Sequence, residues 1–174
     1  MVAGKALSLA RHHEARSFSG LTPWATGPKA ERIENRPAFC EAFQRHRCLV
    51  PDFYEWKEIG AGEQPYAIAL ANRRLVALAG LRENWRSPAA EWVRSFATLT
   101  TAPNELCAEL HNRKPAALKP EAWPLWLGEE PTEPAELKAL LKPFPSEEMV
   151  CWPVSARVGN VRNDGPSLIE PIAA

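Results

Sequence analysis

Arg47-Cys48-Leu49-Val50-Pro51-Asp52-Phe53-Tyr54-Glu55-Trp56-Lys57 is the stretch on which the fold turns. Cys48 to Val50 and Phe53 to Ile59 are rich in β-forming and aromatic residues and read as two strands separated at Pro51-Asp52. Gly60-Ala61-Gly62 supplies a hairpin turn, and Tyr66 to Leu70 is the returning strand. Glu55 is out of place in this company. A carboxyl half-buried beside Trp56 gains proton affinity, which suits it to proton transfer. The plainer reading of Glu55 is a surface residue on an edge strand.

On the N-terminal side, Pro37 opens a short helix, since its missing N–H costs nothing at a first helical position. Phe39, Ala42 and Phe43 fall at helical spacing and face the core, and the run Gln44 to Arg47 closes the helix with positive charge. On the C-terminal side, Asn72 marks a tight turn and Leu75 to Leu81 is a strand buried on both faces. After a polar loop at Ser87-Pro88, Trp92 to Thr100 is another strand. Asn104 to Leu110 is a short helix capped by Asn104 or Thr101, and Pro120 to Leu127 and Pro134 to Leu141 are two more. Met149 to Val154 is a late strand, and the tail from Val158 to Ile172 is irregular. The fold class is α+β: a strongly twisted, mainly antiparallel sheet or barrel with peripheral short helices.

A chain of 174 residues suffices for one domain with a sizeable core, so residues 1–174 are read as a single domain. With 21 basic and 21 acidic residues there is no global pull on nucleic acid. The first 57 residues, however, carry nine Lys/Arg against six Asp/Glu, enough for a local phosphate-binding face if the charges converge. Cys40, Cys48, Cys107 and Cys151 lack the close spacing of a zinc knuckle, so neither a metal nor another cofactor is expected. No apolar run has the length of a signal peptide or a membrane span. These features imply a cytoplasmic protein with reduced thiols and no membrane partner.

Five places in order resemble the SRAP family, the SOS response-associated peptidases or abasic-site processing proteins. Met1 to Ser8 is similar to the family's Met-Cys-Gly-Arg-Phe-Ala opening, and Gly20-Leu21-Thr22-Pro23-Trp24-Ala25 to its Trp-Gly-Leu-Ile-Pro-x-Trp-Ala segment. Gly27 to Glu31, with Pro37-Ala38-Phe39 after it, resembles its Asn-Ala-Arg-x-Glu stretch. Arg47 to Lys57 matches its Arg-Cys-Leu-Val-Pro-Ala-Asp-Gly-Phe-Tyr-Glu-Trp-Lys, two residues shorter before Phe53. Thr98 to Asn104 and His111-Asn112-Arg113-Lys114-Pro115 resemble its Thr-Thr-x-Ala-Asn and His-Asp-Arg-Met-Pro pieces. The resemblance implies binding of single-stranded or abasic-site DNA in a DNA-damage response. In the family, Cys at position 2 becomes N-terminal and closes a thiazolidine on the abasic aldehyde, assisted by Glu and His at the positions of Glu55 and His111. An autopeptidase activity is also attributed to the family.

Position 2 here is Val, and the family's Asn position falls on Gly27, or on Ala30 in a gapped alignment. The segment between the opening and residue 20 is also shorter than in the family. Val2 offers only its α-amine, and only once Met1 is removed. That amine attacks an aldehyde to give a reversible imine in place of a stable cross-link. Arg113 and Lys29 are the candidate phosphate contacts, and Trp24 and Trp56 the candidate platforms for unpaired bases. The plainer readings are a helix-end cap for His111, a solvated lysine for Lys29 and core packing for the two Trp. Two rival functions stay open. One is a non-catalytic descendant, of the kind a mobile element carries, that binds only DNA or protein. The other is a cysteine protease built on an internal Cys, although the sequence suggests no Cys/His pair.

Overall fold

The computed structural model describes residues 28–51, 54–59, 62–86, 88–160 and 162–172, and along 54–59 it describes the backbone and its pairing. Val2, Trp24 and the turn read at Gly20 to Ala25 lie outside the described residues. The strands are β1 (Arg47–Pro51), β2 (Tyr54–Ile59), β3 (Gly62–Leu70), β4 (Ala77–Arg86), β5 (Trp92–Thr98), β6 (Thr100–Thr101), β7 (Lys114–Pro115), β8 (Ala117–Leu118) and β9 (Met149–Pro153). The α-helices are α1 (Cys40–Arg45), α2 (Glu105–Ala108), α3 (Trp123–Leu127) and α4 (Pro134–Ala139). Every strand-to-strand pairing among them is antiparallel. One sheet has the order β1-β4-β5 with β8 also on β4, a second is β2-β3-β9, and β6 pairs β7. The described strands therefore form separate sheets and not a closed barrel. Among the described residues, no helix is long and apolar enough to cross a membrane.

β4 is the central strand because its first half is apolar on both faces. Ala79 and Leu81 face a cluster with Phe43, Trp126 and Leu137 from the helices and Leu141 just after α4. Leu78, of opposite parity, joins Ile68, Leu70, Phe144 and Met149 of the second sheet and its surroundings. The predicted burial holds from Val76 to Leu81, but Leu75 is 59% exposed. Gly80 pairs with Cys48, and a Cβ there would stand 2.8 Å from both Cys48 Sγ and Val50 Cγ2. Gly80→Ala is expected to destabilise the fold by about 1–3 kcal/mol through overpacking. A melting temperature equal to wild type would show that the sheet can absorb the methyl.

Pro37 does not open α1. It lies in a turn in which the Phe39 and Cys40 amides donate to Arg36 O at 2.8 and 2.9 Å, and the helix starts at Cys40. Arg47 belongs to β1, not to the helix end, yet it still serves that end. Its Nη1 donates to Phe43 O at 2.7 Å and Gln44 O at 2.6 Å, and its Nε donates to Trp126 O at the end of α3. One guanidinium thus satisfies carbonyls that two short helices leave unpaired. Trp126 is fully buried and its indole N–H donates to Cys48 O at 2.9 Å, tying α3 to β1. Gly128 ends α3 with φ +79, in the left-handed region that favours glycine.

Asn104 is the cap of α2, as its side-chain oxygen accepts from the Cys107 amide at 3.0 Å. The positive φ after β3 falls on Arg73 and not on Asn72, whose Oδ1 accepts from the Arg74 amide at 3.0 Å. In the tail, two short 3-10 helices (Ala156–Gly159 and Pro166–Ile169) punctuate the irregular chain. Trp152 of β9 donates to Ile169 O at 2.8 Å and holds the tail against the second sheet.

Candidate functional site

The site is assembled where the chain from residue 28 meets the end of the β5–β6 segment. The Thr100 amide donates to Pro28 O at 3.0 Å, and Lys29 forms a parallel bridge with Thr100. A 3-10 helix (Ala30–Asn35) follows, anchored by buried Ala30 and Ile33. That anchoring turns Lys29, Glu31, Arg32 and Arg36 outward. Arg113 reaches the same place from the loop between α2 and β7.

Arg113 forks around Glu31: Nη1 to Oε1 at 2.7 Å and Nη2 to Oε2 at 3.0 Å. Nη2 also donates to Thr100 O at 2.6 Å and to Thr100 Oγ1 at 3.2 Å, while the buried Nε has no hydrogen-bond partner. The Arg113 side chain is only 18% exposed and Glu31 is 50% exposed. Arg113, through its hydrogen bond first, holds the Glu31 carboxyl below the usual carboxylate value; partial burial opposes it and Lys29 adds a smaller pull. Lys29, Glu31, Arg32, Arg36 and Arg113 together line an open cleft of about 310 Å³. Four cations against one carboxylate give it a positive field suited to an anion.

His111 is exposed, and its Nδ1 lies 3.1 Å from the Arg113 amide and 3.0 Å from the Arg113 carbonyl. A neutral ring with its lone pair on Nδ1 accepts that amide and leaves Nε2–H free to face solvent. The His111 side chain therefore braces the loop that carries Arg113, while its backbone amide closes the end of α2 by donating to Cys107 O at 3.0 Å. Glu55 and Trp56 are placed on β2, opposite Tyr66 and Pro65. Of the residues singled out from sequence, the structure brings Lys29 and Arg113 together in the cleft and sets His111 against the Arg113 backbone. Val2 and Trp24 are outside the described residues.

The sequence reading missed the role of Glu31. It stands in the Asn-Ala-Arg-x-Glu-like stretch, and that carboxylate, opposite a basic loop, was the available signal. It also missed Lys114, which is 1% exposed and projects its Nζ toward Phe144 O at 3.3 Å and Met149 Sδ at 3.8 Å. Burial lowers the Lys114 pKa, partly offset by Cys107. Cys48 is half-buried, and burial raises its pKa against a smaller opposing pull from Arg82. A raised thiol pKa is the opposite of what a nucleophilic cysteine needs.

The family model described as SOS response associated peptidase (SRAP) matches residues 17–161. The chain belongs to the SRAP family. An SRAP relative in Bacillus subtilis (strain 168), abasic site processing protein YoqW, is 34% identical over 162 residues, covering 86% of this chain and 72% of its own. Abasic site processing protein HMCES of Gallus gallus is 31% identical over 148 residues, covering 72% of this chain and 44% of its own. Among solved structures, a protein from Bacteroides thetaiotaomicron superposes with a TM-score of 0.75 at 29% identity, over 84% of this SRAP chain and 65% of that one.

Proposed function

We propose that this SRAP chain binds abasic-site DNA, in single-stranded form at the lesion, as part of a DNA-damage response. The observation that carries the reading is the cleft, in which Arg113 is held ready beside Lys29, Arg32 and Arg36. The Arg113 fork is taken by Glu31 and Thr100, so what it offers a phosphate is its charge and the remaining Nη1–H, already held in place before binding. The names of the relatives, abasic site processing proteins, supply the lesion. In this reading residues 1–174 form one SRAP-like domain working in the cytoplasm, with Trp24 and Trp56 stacking on unpaired bases.

Glu55 and His111 assist at the sugar: His111, as the imidazolium with Nδ1–H donating to Arg113 O, gives its Nε2 proton to the ring oxygen as it opens, and Glu55 moves protons during attack on the aldehyde. The nucleophile is the α-amine of Val2 after loss of Met1. It forms an imine and releases water, and the imine hydrolyses back or promotes elimination of the 3′ phosphate. Val2 has no thiol to trap the product as a thiazolidine, which favours transient capture over lasting cross-linking. The same substitution supports the second reading, a binder without chemistry.

One experiment separates them. The protein is incubated with an abasic single-stranded oligonucleotide, with and without borohydride, alongside Val2→Cys. Expected is a borohydride-dependent adduct for wild type and a borohydride-independent, stable adduct for Val2→Cys. Salt-sensitive binding with no adduct from either protein would reject the chemistry and leave the binder.

A further inference from the structure

The pairing of β1 with β4 ends at Arg47↔Leu81, whereas β5 stays paired to β4 out to Arg86↔Trp92. Residues 82–86 and 92–96 therefore form a two-stranded ribbon extending past the edge of the sheet. Its cross-strand pairs Arg82↔Phe96, Asn84↔Arg94 and Arg86↔Trp92 share one face, because directly opposed residues in an antiparallel pair point the same way. All six of these residues are exposed, Trp92 at 67% and Phe96 at 61%. The face carries three guanidiniums and no carboxylate; none of the three makes an ion pair among the described residues. Each aromatic ring sits across from an arginine.

We infer that this ribbon face is a second nucleic-acid contact surface, on which single-stranded DNA lays its bases over Trp92 and Phe96 and its phosphates against Arg82, Arg86 and Arg94. Two large aromatic rings exposed on one face, with an arginine opposite each and another between them, give that face both stacking surface and positive charge. Bases offer π-faces to such rings whatever their sequence, and the phosphates between them match the arginines in charge. Trp92 and Phe96 are about 13 Å apart along the strand, with Arg94 between them on the same face, so two separate bases can be engaged. A duplex keeps its bases stacked on one another and cannot use the rings this way.

The ribbon and the cleft are joined through the chain. Ala38 and Phe39, just after Arg36 of the cleft wall, border a shallow depression lined on the ribbon mainly by Leu81, Glu83, Ser95 and Ala97, on the face opposite the arginines and aromatic rings. At its other end, β5 leads through Leu99 to Thr100, which holds Arg113. The inference rests on the reading that this chain binds single-stranded DNA, and it adds where the flanking strand runs.

The test uses the full chain and a fluorescent oligothymidylate with no abasic site, read by anisotropy. Trp92→Ala/Phe96→Ala is expected to weaken binding by about tenfold or more, with melting temperature and sedimentation unchanged. Arg86→Ala/Arg94→Ala is expected to weaken it too and to flatten the dependence of affinity on salt. Affinity within about twofold of wild type for the aromatic variant would overturn the inference. So would an equal loss on duplex DNA, or a change of oligomeric state in the variant, which would assign the face to contact between copies. Arg113→Ala on an abasic oligonucleotide reports on the cleft separately. Loss there with an inert ribbon leaves the proposed function standing and removes this inference. The reverse pattern does the opposite.

Discussion

Arg113→Ala is expected to weaken binding to abasic single-stranded DNA by about ten- to a hundredfold, as befits a charge-assisted contact worth about 1–3 kcal/mol. Two effects act together. The variant loses a fixed cation of the cleft, and it releases Glu31, whose carboxylate then meets the phosphates without a partner. Arg113→Lys should recover only part of the affinity, because a single ammonium cannot span both Glu31 oxygens and the Thr100 carbonyl. Global stability should change much less than binding, since half-exposed ion pairs contribute little. The Glu31 carboxyl itself gives an independent readout. Its folded-state pKa is depressed, so its stabilising contribution is present above the ordinary value of 4.5 and is lost as pH falls through the lowered one. In Arg113→Ala, a carboxyl-carbon NMR titration should show Glu31 moving up toward the ordinary value. If DNA affinity is unchanged while Glu31 does move up, Arg113 is a structural tether and the cleft is not where phosphate binds.

What could be read from the sequence followed how local the cause was. The pairing of β2 with β3 across residues 60–61 and the burial of Val76 to Leu81 depend on alternation and turn chemistry within a few residues, and both were legible. The Asn104 cap was legible for the same reason. Pro37 shows the limit of a local rule: its preference for a first helical position gave way to a turn on Arg36 O. The ribbon was obscured because residues 82–86 are too polar to announce a strand, and only their pairing with β5 makes them one. Arg113 was legible as a cation, but its partner lies 82 positions away in sequence, and no pattern of spacing links them. Glu55 stood out by its neighbours, and what it does at the sugar is a matter of the proposed chemistry.

Lys114→Met is expected to stabilise the protein near neutral pH by about 1–3 kcal/mol, raising its melting temperature by about 2–4 °C per kcal/mol. The SRAP resemblance puts Met at this position, so the volume suits the site. An ammonium has three N–H groups to satisfy. Here it has one carbonyl at 3.3 Å, to which the Asn104 amide already donates at 2.8 Å, and the thioether of Met149. Among the described residues no carboxylate is paired with it. Burial therefore penalises the charged form and lowers the Lys114 pKa below its ordinary 10.5, the Cys107 thiol opposing weakly. The sign follows from proton binding: between the lowered folded value and 10.5, the unfolded chain holds more protons than the folded one. Wild-type stability should then rise with pH through that window and fall as pH drops across it. Lys114→Met removes this slope, so its advantage is largest at neutral pH and shrinks toward pH 10.5. Denaturant unfolding of both proteins at several pH values measures the difference directly. An advantage that stays constant with pH would mean the gain comes from packing; a loss of stability at neutral pH would mean that the ammonium, held by Phe144 O, contributes more than its desolvation costs.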